Sequence, residues 1–419
     1  MTEVRRRRSL TNVGGVIDKS GDRTAADALA HALAVPPSEK EDAPDRAHVH
    51  GFHAYPARAH PVTARRLVEA FAPARGLVLD PFCGSGTVLV EAMLANRDVV
   101  GTDLNPLGIM LARAKTYPHP PAKTAALVEA ARAVADFADV RRKAKAGATR
   151  RLPREDVALF PPHVLLELDS IRAGIAQKAP PETRPELLLV LSSLLVKLSS
   201  KRGDTSDETQ EKRIAAGRAA KLFVAKTEEL ARRFDEFAAA LPAPPPRARV
   251  YLDDAMKLGR VEGASVDAVV TSPPYVATYD YLSHHDLRMR WLGLDAAPLE
   301  KGELGARRRY ARLDFEHARD AWKEELATLL RSLARVTKPD APVALLIADS
   351  AIGGGRIRPQ ALRADALVSE VARTTGLFEP VARASQARPH FHAPTASAFR
   401  DAARAEHAIL LRRAKGNPA

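Results

Sequence analysis

Ser272-Pro273-Pro274-Tyr275 is the stretch of this 419-residue chain whose residue types point most directly to chemistry. Two consecutive prolines hold the backbone rigid and extended. The Ser272 hydroxyl and the Pro273 carbonyl, both acceptors, can then be aimed at one NH₂ group while the Tyr275 ring lies against a flat partner. That combination fits an amino-bearing base. The exocyclic nitrogen of such a base is a poor nucleophile, because its lone pair is delocalised into the ring. Preorganised acceptors would draw it toward tetrahedral geometry and stabilise the positive charge that develops, with no covalent intermediate. The base must also leave its stack, by flipping or from a single strand. Taken alone, the motif also reads as a turn with a buried tyrosine.

A second candidate site is Asp80-Pro81-Phe82-Cys83-Gly84-Ser85-Gly86-Thr87, which follows an apolar run and opens a helical pattern. Its glycines let the backbone approach a ligand where side chains would collide. Asp103 follows at the end of the next apolar run, 23 positions after Asp80, the distance at which α/β folds set an acid against ribose hydroxyls. The loop has G-x-G rather than G-x-G-x-x-G, and the acid before it would repel a pyrophosphate, which argues against NAD or FAD. S-adenosylmethionine carries an ammonium group and no phosphate, and Asp80 is a suitable neighbour for it. A tight turn with Asp80 as helix cap is the structural alternative.

Both motifs need a scaffold. A helix over 62–71, a strand over 76–79 ending in Asp80, a helix over 87–95 and a strand over 98–102 ending in Asp103 make two strand-helix units in succession, and hence a parallel sheet. From Tyr117 to about Pro246 the pattern turns wholly helical, with helices over 123–145, 161–175, 185–198 and 216–241. Strands resume at 248–252, 266–271 and 342–348, and the run 408–411 reads as a last strand near a sheet edge. The expected fold is therefore α/β, a Rossmann-like sheet with a mainly helical insertion. The expected organisation is a flexible basic arm over 1–47, an α/β domain over 48–116 and 247–419, and the insertion over 117–246, a candidate target-recognition region. Thr24 to Leu33 is the arm's one helix candidate.

The net charge of +13 favours polyanionic partners, because each neutralised phosphate releases counterions. No apolar run is long enough to cross a bilayer, and Arg5 to Arg8 are followed by no apolar stretch, so the start does not read as a secretory signal. A cytoplasmic location is expected. The single cysteine, Cys83, excludes an intrachain disulfide and a cysteine-based zinc cluster. Adjacent His284 and His285 make a poor metal pair, and no metal site is expected.

Together, Asp-Pro-Phe-Cys-Gly-Ser-Gly-Thr and Thr-Ser-Pro-Pro-Tyr resemble the amino-methyltransferase family of DNA-modifying enzymes. Its signatures are a Phe-x-Gly-x-Gly cofactor loop and an (Asp/Asn/Ser)-Pro-Pro-(Tyr/Phe/Trp) catalytic loop. The resemblance covers residues 48–116 and 248–413 and implies S-adenosylmethionine as cofactor and DNA as partner. It implies that Phe82, Gly84, Gly86 and Thr87 shape the cofactor loop with Asp80 near the methionine moiety. Asp103 would meet the ribose, Asp254 and Ala255 the adenine, and Ser272 through Tyr275 the target base. His53-Ala54-Tyr55-Pro56-Ala57-Arg58 looks like the family segment that closes over the methionine end, which brings in Tyr55 and Pro56.

Serine at the head of the tetrapeptide looks more like the cytosine-N4 members, and aspartate is common among adenine-N6 members. The expected activity is therefore methylation of an exocyclic amino group in DNA, with cytosine N4 favoured. The alternatives are adenine N6, a guanine amino group in tRNA, a protein glutamine, or a nucleic-acid-binding regulator without turnover. Cys83 sits in the cofactor loop and no Pro-Cys dipeptide occurs, which disfavours cytosine C5 chemistry. Two weaker features are a phosphate-contacting loop at 199–205 with Lys212, Arg213, Arg218 and Lys221, and interleaved aromatic and basic residues at 279–291. A solvated turn and helix packing, Trp291 above all, are their respective alternatives.

Overall fold

A computed structural model describes residues 15–35, 44–56, 58–204, 208–354, 357–389 and 393–414. Its centre is an eight-stranded sheet of β1 (Ile17–Gly21), β2 (Leu77–Asp80), β3 (Asp98–Asp103), β4 (Ala248–Leu252), β5 (Ala268–Thr271), β6 (Pro342–Ala348), β9 (Phe378–Ala387) and β10 (Ala405–Arg413). A separate antiparallel pair is formed by β7 (Ser350–Gly354) and β8 (Ile357–Leu362). Across the sheet the order is β1-β9-β10-β6-β5-β2-β3-β4. The five strands β6, β5, β2, β3 and β4 are mutually parallel, and β10 runs antiparallel to both β6 and β9.

Because the parallel strands are covered on both faces, each contributes side chains to two cores. Val78 and Val99 belong to one apolar cluster, and their neighbours Leu79 and Val100 to the other. The first cluster includes the helices Pro61–Phe71, Thr87–Leu94 and Pro106–Thr116, and the second the helices Phe315–Val336 and Ala364–Thr375. This period of two fixes which residues face which layer. Helix starts are set locally: the Asn105 side chain accepts from the Leu107 N–H, with Pro106 in the first turn.

From β2 the chain moves outward to β3 and β4, then returns to place β5 on the opposite side of β2. The order reverses between β2 and β5, and ligands of open α/β sheets bind in the crevice at such a reversal. Helices Pro121–Lys143, Arg154–Leu159, Pro162–Lys178, Arg184–Leu198 and Arg218–Ala240 lie between β3 and β4 in sequence, and Leu127, Val164, Leu191 and Phe234 are buried in the first cluster.

Two expectations need correction. Residues 17–33 are not a flexible arm: β1 pairs with β9, and helix Arg23–Leu33 buries Leu29 and Leu33. The polar β1 gains its place by completing the sheet edge, which its own residues do not announce. Arg5 to Arg8 lie outside the described residues. The run at 408–411 is also not near an edge, since β10 sits between β6 and β9 and two further strands lie beyond it. Its continuous burial from His407 to Leu411 follows from that interior position.

Candidate active site

The loops after β2 and β5 leave adjacent strands at their carboxyl ends and are joined directly: the Thr271 hydroxyl donates to Asp80 Oδ1 at 2.6 Å. A cleft of about 630 Å³ opens beside them, bordered by residues of both loops, among them Phe82, Gly84, Ser272 and Pro274. Tyr55, Asp103, Asp254 and Ala255 border it as well.

Gly84 shows why the loop is glycine-rich. Its φ is +47°, and a Cβ there would stand 3.1 Å from the Tyr55 ring, so a larger residue would be both strained and crowded. The Gly84 N–H donates to Asp103 Oδ2 at 2.8 Å and the Asn105 N–H to Oδ1 at 2.7 Å, which ties the cofactor-type loop to the end of β3. Burial raises the Asp103 pKa to about 6 against those hydrogen bonds. Tyr55 is held by Asn105, whose Nδ2 donates to the phenol oxygen at 3.1 Å, and by His285, stacked at 4.8 Å.

Asp80, Gly86, Thr87, Pro56, Pro273 and Tyr275 do not border the cleft. Gly86 caps helix Thr87–Leu94, and Thr87 and Pro273 are buried. The Asp80 carboxylate takes the Thr271 hydroxyl and the Phe82 N–H at 3.1 Å, so it braces both loops from beneath. The Tyr275 hydroxyl donates to Glu406 Oε1 on β10 at 3.1 Å, and Arg388 Nε donates to Glu406 Oε2 at 3.0 Å. Residues missed from sequence are Leu104, Asn105, Asp253, Met256, Leu299, Gly302, Glu303 and Leu304, all on the cleft wall. Those at 104–105 and 253–256 immediately follow strand ends, a signal that was available. Leu299 to Leu304 carried none.

The weaker features divide. His285, Arg288 and Trp291 are fully buried, and Arg288 pairs with Asp204, so they pack the interior rather than offer a surface to nucleic acid. In the 199–204 loop Arg202 pairs with Glu208, and the Lys212 ammonium donates to the Lys201 carbonyl at 2.8 Å, which is local turn structure. Ala57 and Thr205 lie outside the described residues.

Burial raises the Asp80 pKa from 3.8 to about 7. The folded state therefore holds the proton more tightly than the unfolded chain. The stability this contributes is complete below the ordinary pKa and is lost as pH rises to about 7. Asp80→Asn keeps an acceptor for Thr271 and Phe82, so its thermal stability is expected to fall less than that of the wild type between pH 5 and 8. Equal falls in melting temperature would refute the assignment.

Part of the chain is similar to known proteins. Residues 24–112 match the model of the N6_N4_Mtase family, described as DNA methylase. Over that segment the chain is similar to DNA amino-methyltransferases. It is 43% identical over 77 residues to the type II methyltransferase M.MvaI of Kocuria varians, a match covering 18% of this chain and 17% of that protein. It is 33% identical over 68 residues to the type II methyltransferase M.MjaII of Methanocaldococcus jannaschii, covering 16% and 13%. The chain thus matches less than a fifth of either relative's length.

Among solved structures, an rRNA methyltransferase, aviRa, from Streptomyces viridochromogenes superposes with a TM-score of 0.35 at 15% identity, over 92% of this chain and 96% of that one. TrmN from Thermus thermophilus does so with 0.33 at 13%, over 86% and 51%.

The resemblance implies S-adenosylmethionine, and the cleft suits it: aromatic Tyr55 and Phe82 for apolar contact, and the carboxylates of Asp103, Asp253 and Asp254 for hydroxyl, amino and cationic groups. The Ser85 and Thr87 hydroxyls of the loop after β2 are buried without a hydrogen-bond partner among the described residues, and neither lies on the cleft wall. Among the described residues no helix is long and apolar enough to cross a membrane.

Proposed function

We propose that the chain methylates an exocyclic amino group of a base in DNA, with cytosine N4 the favoured target. The observation that carries this reading is the Thr271–Asp80 bond, which couples the Phe-x-Gly-x-Gly loop to the Ser-Pro-Pro-Tyr loop beside a single cleft. When bound, the cofactor supplies an electrophilic methyl group on a sulfonium.

The chain's residues do the rest by positioning. Phe82 and Gly84 hold the cofactor loop open to the cleft, Asp103 accepts from ribose hydroxyls, and Asp254 with Ala255 borders the adenine. Ser272 and the Pro273 carbonyl accept from the target NH₂ and concentrate its lone pair on the methyl. The resemblance assigns the Tyr275 ring to the extruded base, and its hydroxyl is anchored on Glu406, outside the cleft wall. Serine at the head of the tetrapeptide supports cytosine over adenine. The helical insertion would contribute to target recognition, supported by its contacts with the helix Tyr281–Leu292 that follows the catalytic loop: Arg288 with Asp204 and Arg290 with Asp156.

Incubation with isotopically labelled cofactor and DNA, followed by nucleoside mass analysis, is expected to give labelled N4-methylcytosine. N6-methyladenine would overturn the choice of base, and labelled tRNA beside unlabelled DNA would overturn the substrate class.

A further inference from the structure

Between the catalytic loop and helix Phe315–Val336 the chain forms a strap over residues 303–312. Three hydrogen bonds fasten it to the segment after Tyr275: Ala277 N–H to the Gly305 carbonyl at 2.9 Å, Arg307 N–H to the Tyr279 carbonyl at 3.0 Å, and Tyr281 N–H to Glu303 Oε1 at 2.7 Å. At Gly305 φ is +62° and a Cβ would lie 3.1 Å from Val276 Cα, so the two backbones are pressed together where only glycine fits.

The strap carries four arginines. Arg308 faces inward and fixes it, donating to Asp280 at 2.8 Å, to Glu303 and to the Glu300 carbonyl at 2.8 Å. Arg309 pairs with Glu325 at 2.9 Å. Arg307 and Arg312 are exposed, and neither pairs with a carboxylate among the described residues. An open depression beside them is bordered by Arg308, Arg309, Arg312 and Leu313.

We infer that Arg307 and Arg312 clamp backbone phosphates of the substrate strand beside the base held by the catalytic loop. A rigid strap carrying two uncompensated guanidinium groups, hydrogen-bonded to the catalytic loop, suits phosphate oxygens, and phosphate contacts set register without reading sequence. The inference rests on the nucleic-acid reading above and adds where the backbone runs.

The test is the salt dependence of binding to a fluorescein-labelled DNA duplex, by anisotropy. Each phosphate contact contributes about 0.9 to the slope of log affinity against log salt, so Arg307→Ala/Arg312→Ala is expected to lower the slope by about 1.8. Labelled-cofactor affinity should be unchanged. Arg331→Ala/Arg373→Ala removes the same charge near the carboxyl ends of helices that precede β6 and β9, hence toward the opposite edge of the sheet, and is expected to leave the slope as in the wild type. An unaltered slope in the strap variant, or an equal loss in the control, overturns the clamp while the methyltransferase reading stands. Wild-type protein that binds duplex with the expected pattern but transfers no label overturns that reading and keeps the clamp, and a wild type that does not bind nucleic acid overturns both.

Discussion

Ser272→Ala is expected to lower kcat for methyl transfer to DNA by about 10²-fold to 10³-fold, the range found when one preorganised polar group is removed from a site of developing charge. The hydroxyl stands at the carboxyl end of β5, where Pro273 and Pro274 leave the backbone little freedom to search for another geometry. Without it the target nitrogen keeps only the Pro273 carbonyl as acceptor, and its lone pair stays delocalised. Cofactor affinity should change little, because the fastening of Gly84 to Asp103 does not involve Ser272. Single-turnover kinetics with labelled cofactor separates the two parameters. A variant that keeps wild-type kcat would remove Ser272 from the chemistry, and one that loses cofactor affinity instead would make it a wall of the cleft.

Asp103→Ala should weaken cofactor binding by roughly 10-fold to 100-fold, since hydrogen bonds to a charged group contribute about 1.5–3 kcal/mol and each 1.4 kcal/mol is tenfold. The carboxylate does two jobs that fail together: it accepts the Gly84 and Asn105 N–H groups, and it offers remaining lone pairs to the cleft. With the Asp103 pKa raised to about 6, the sign of the pH effect follows. Ribose hydroxyls donate best to the ionised form, so affinity is full above this value and declines as pH falls through it. Calorimetric titration of the cofactor between pH 5 and 8 should show that decline in the wild type, and it should be absent in Asp103→Ala. Asp80 titrates nearby at about 7, so measuring Asp80→Asn alongside separates the two carboxyls.

Much of the sheet could be read locally because its central strands are short apolar runs that each end in a polar residue at the crevice: Leu77 to Asp80, Asp98 to Asp103, Ala268 to Thr271. β9 escaped notice because Glu379, Pro380 and Arg383 interrupt its apolar character, and β1 because Ile17–Gly21 is almost wholly polar. Both are strands by virtue of the partner they meet, since pairing satisfies backbone groups whatever the side chains are.

The site divides in the same way. Glycine spacing, paired prolines and an acid one strand further on are local facts, and by themselves they singled out the two loops that are candidates for a nucleoside cofactor and an amino group. Tertiary structure alone decided that Asp80 braces the Thr271 hydroxyl 191 residues away, that Tyr275 anchors on Glu406 131 residues away, and that the 303–312 strap lies along the catalytic loop. A local pattern records the backbone shapes a segment can adopt. Which distant donor meets which acceptor depends on strand order and register, which form only when the two apolar faces of the sheet are buried together.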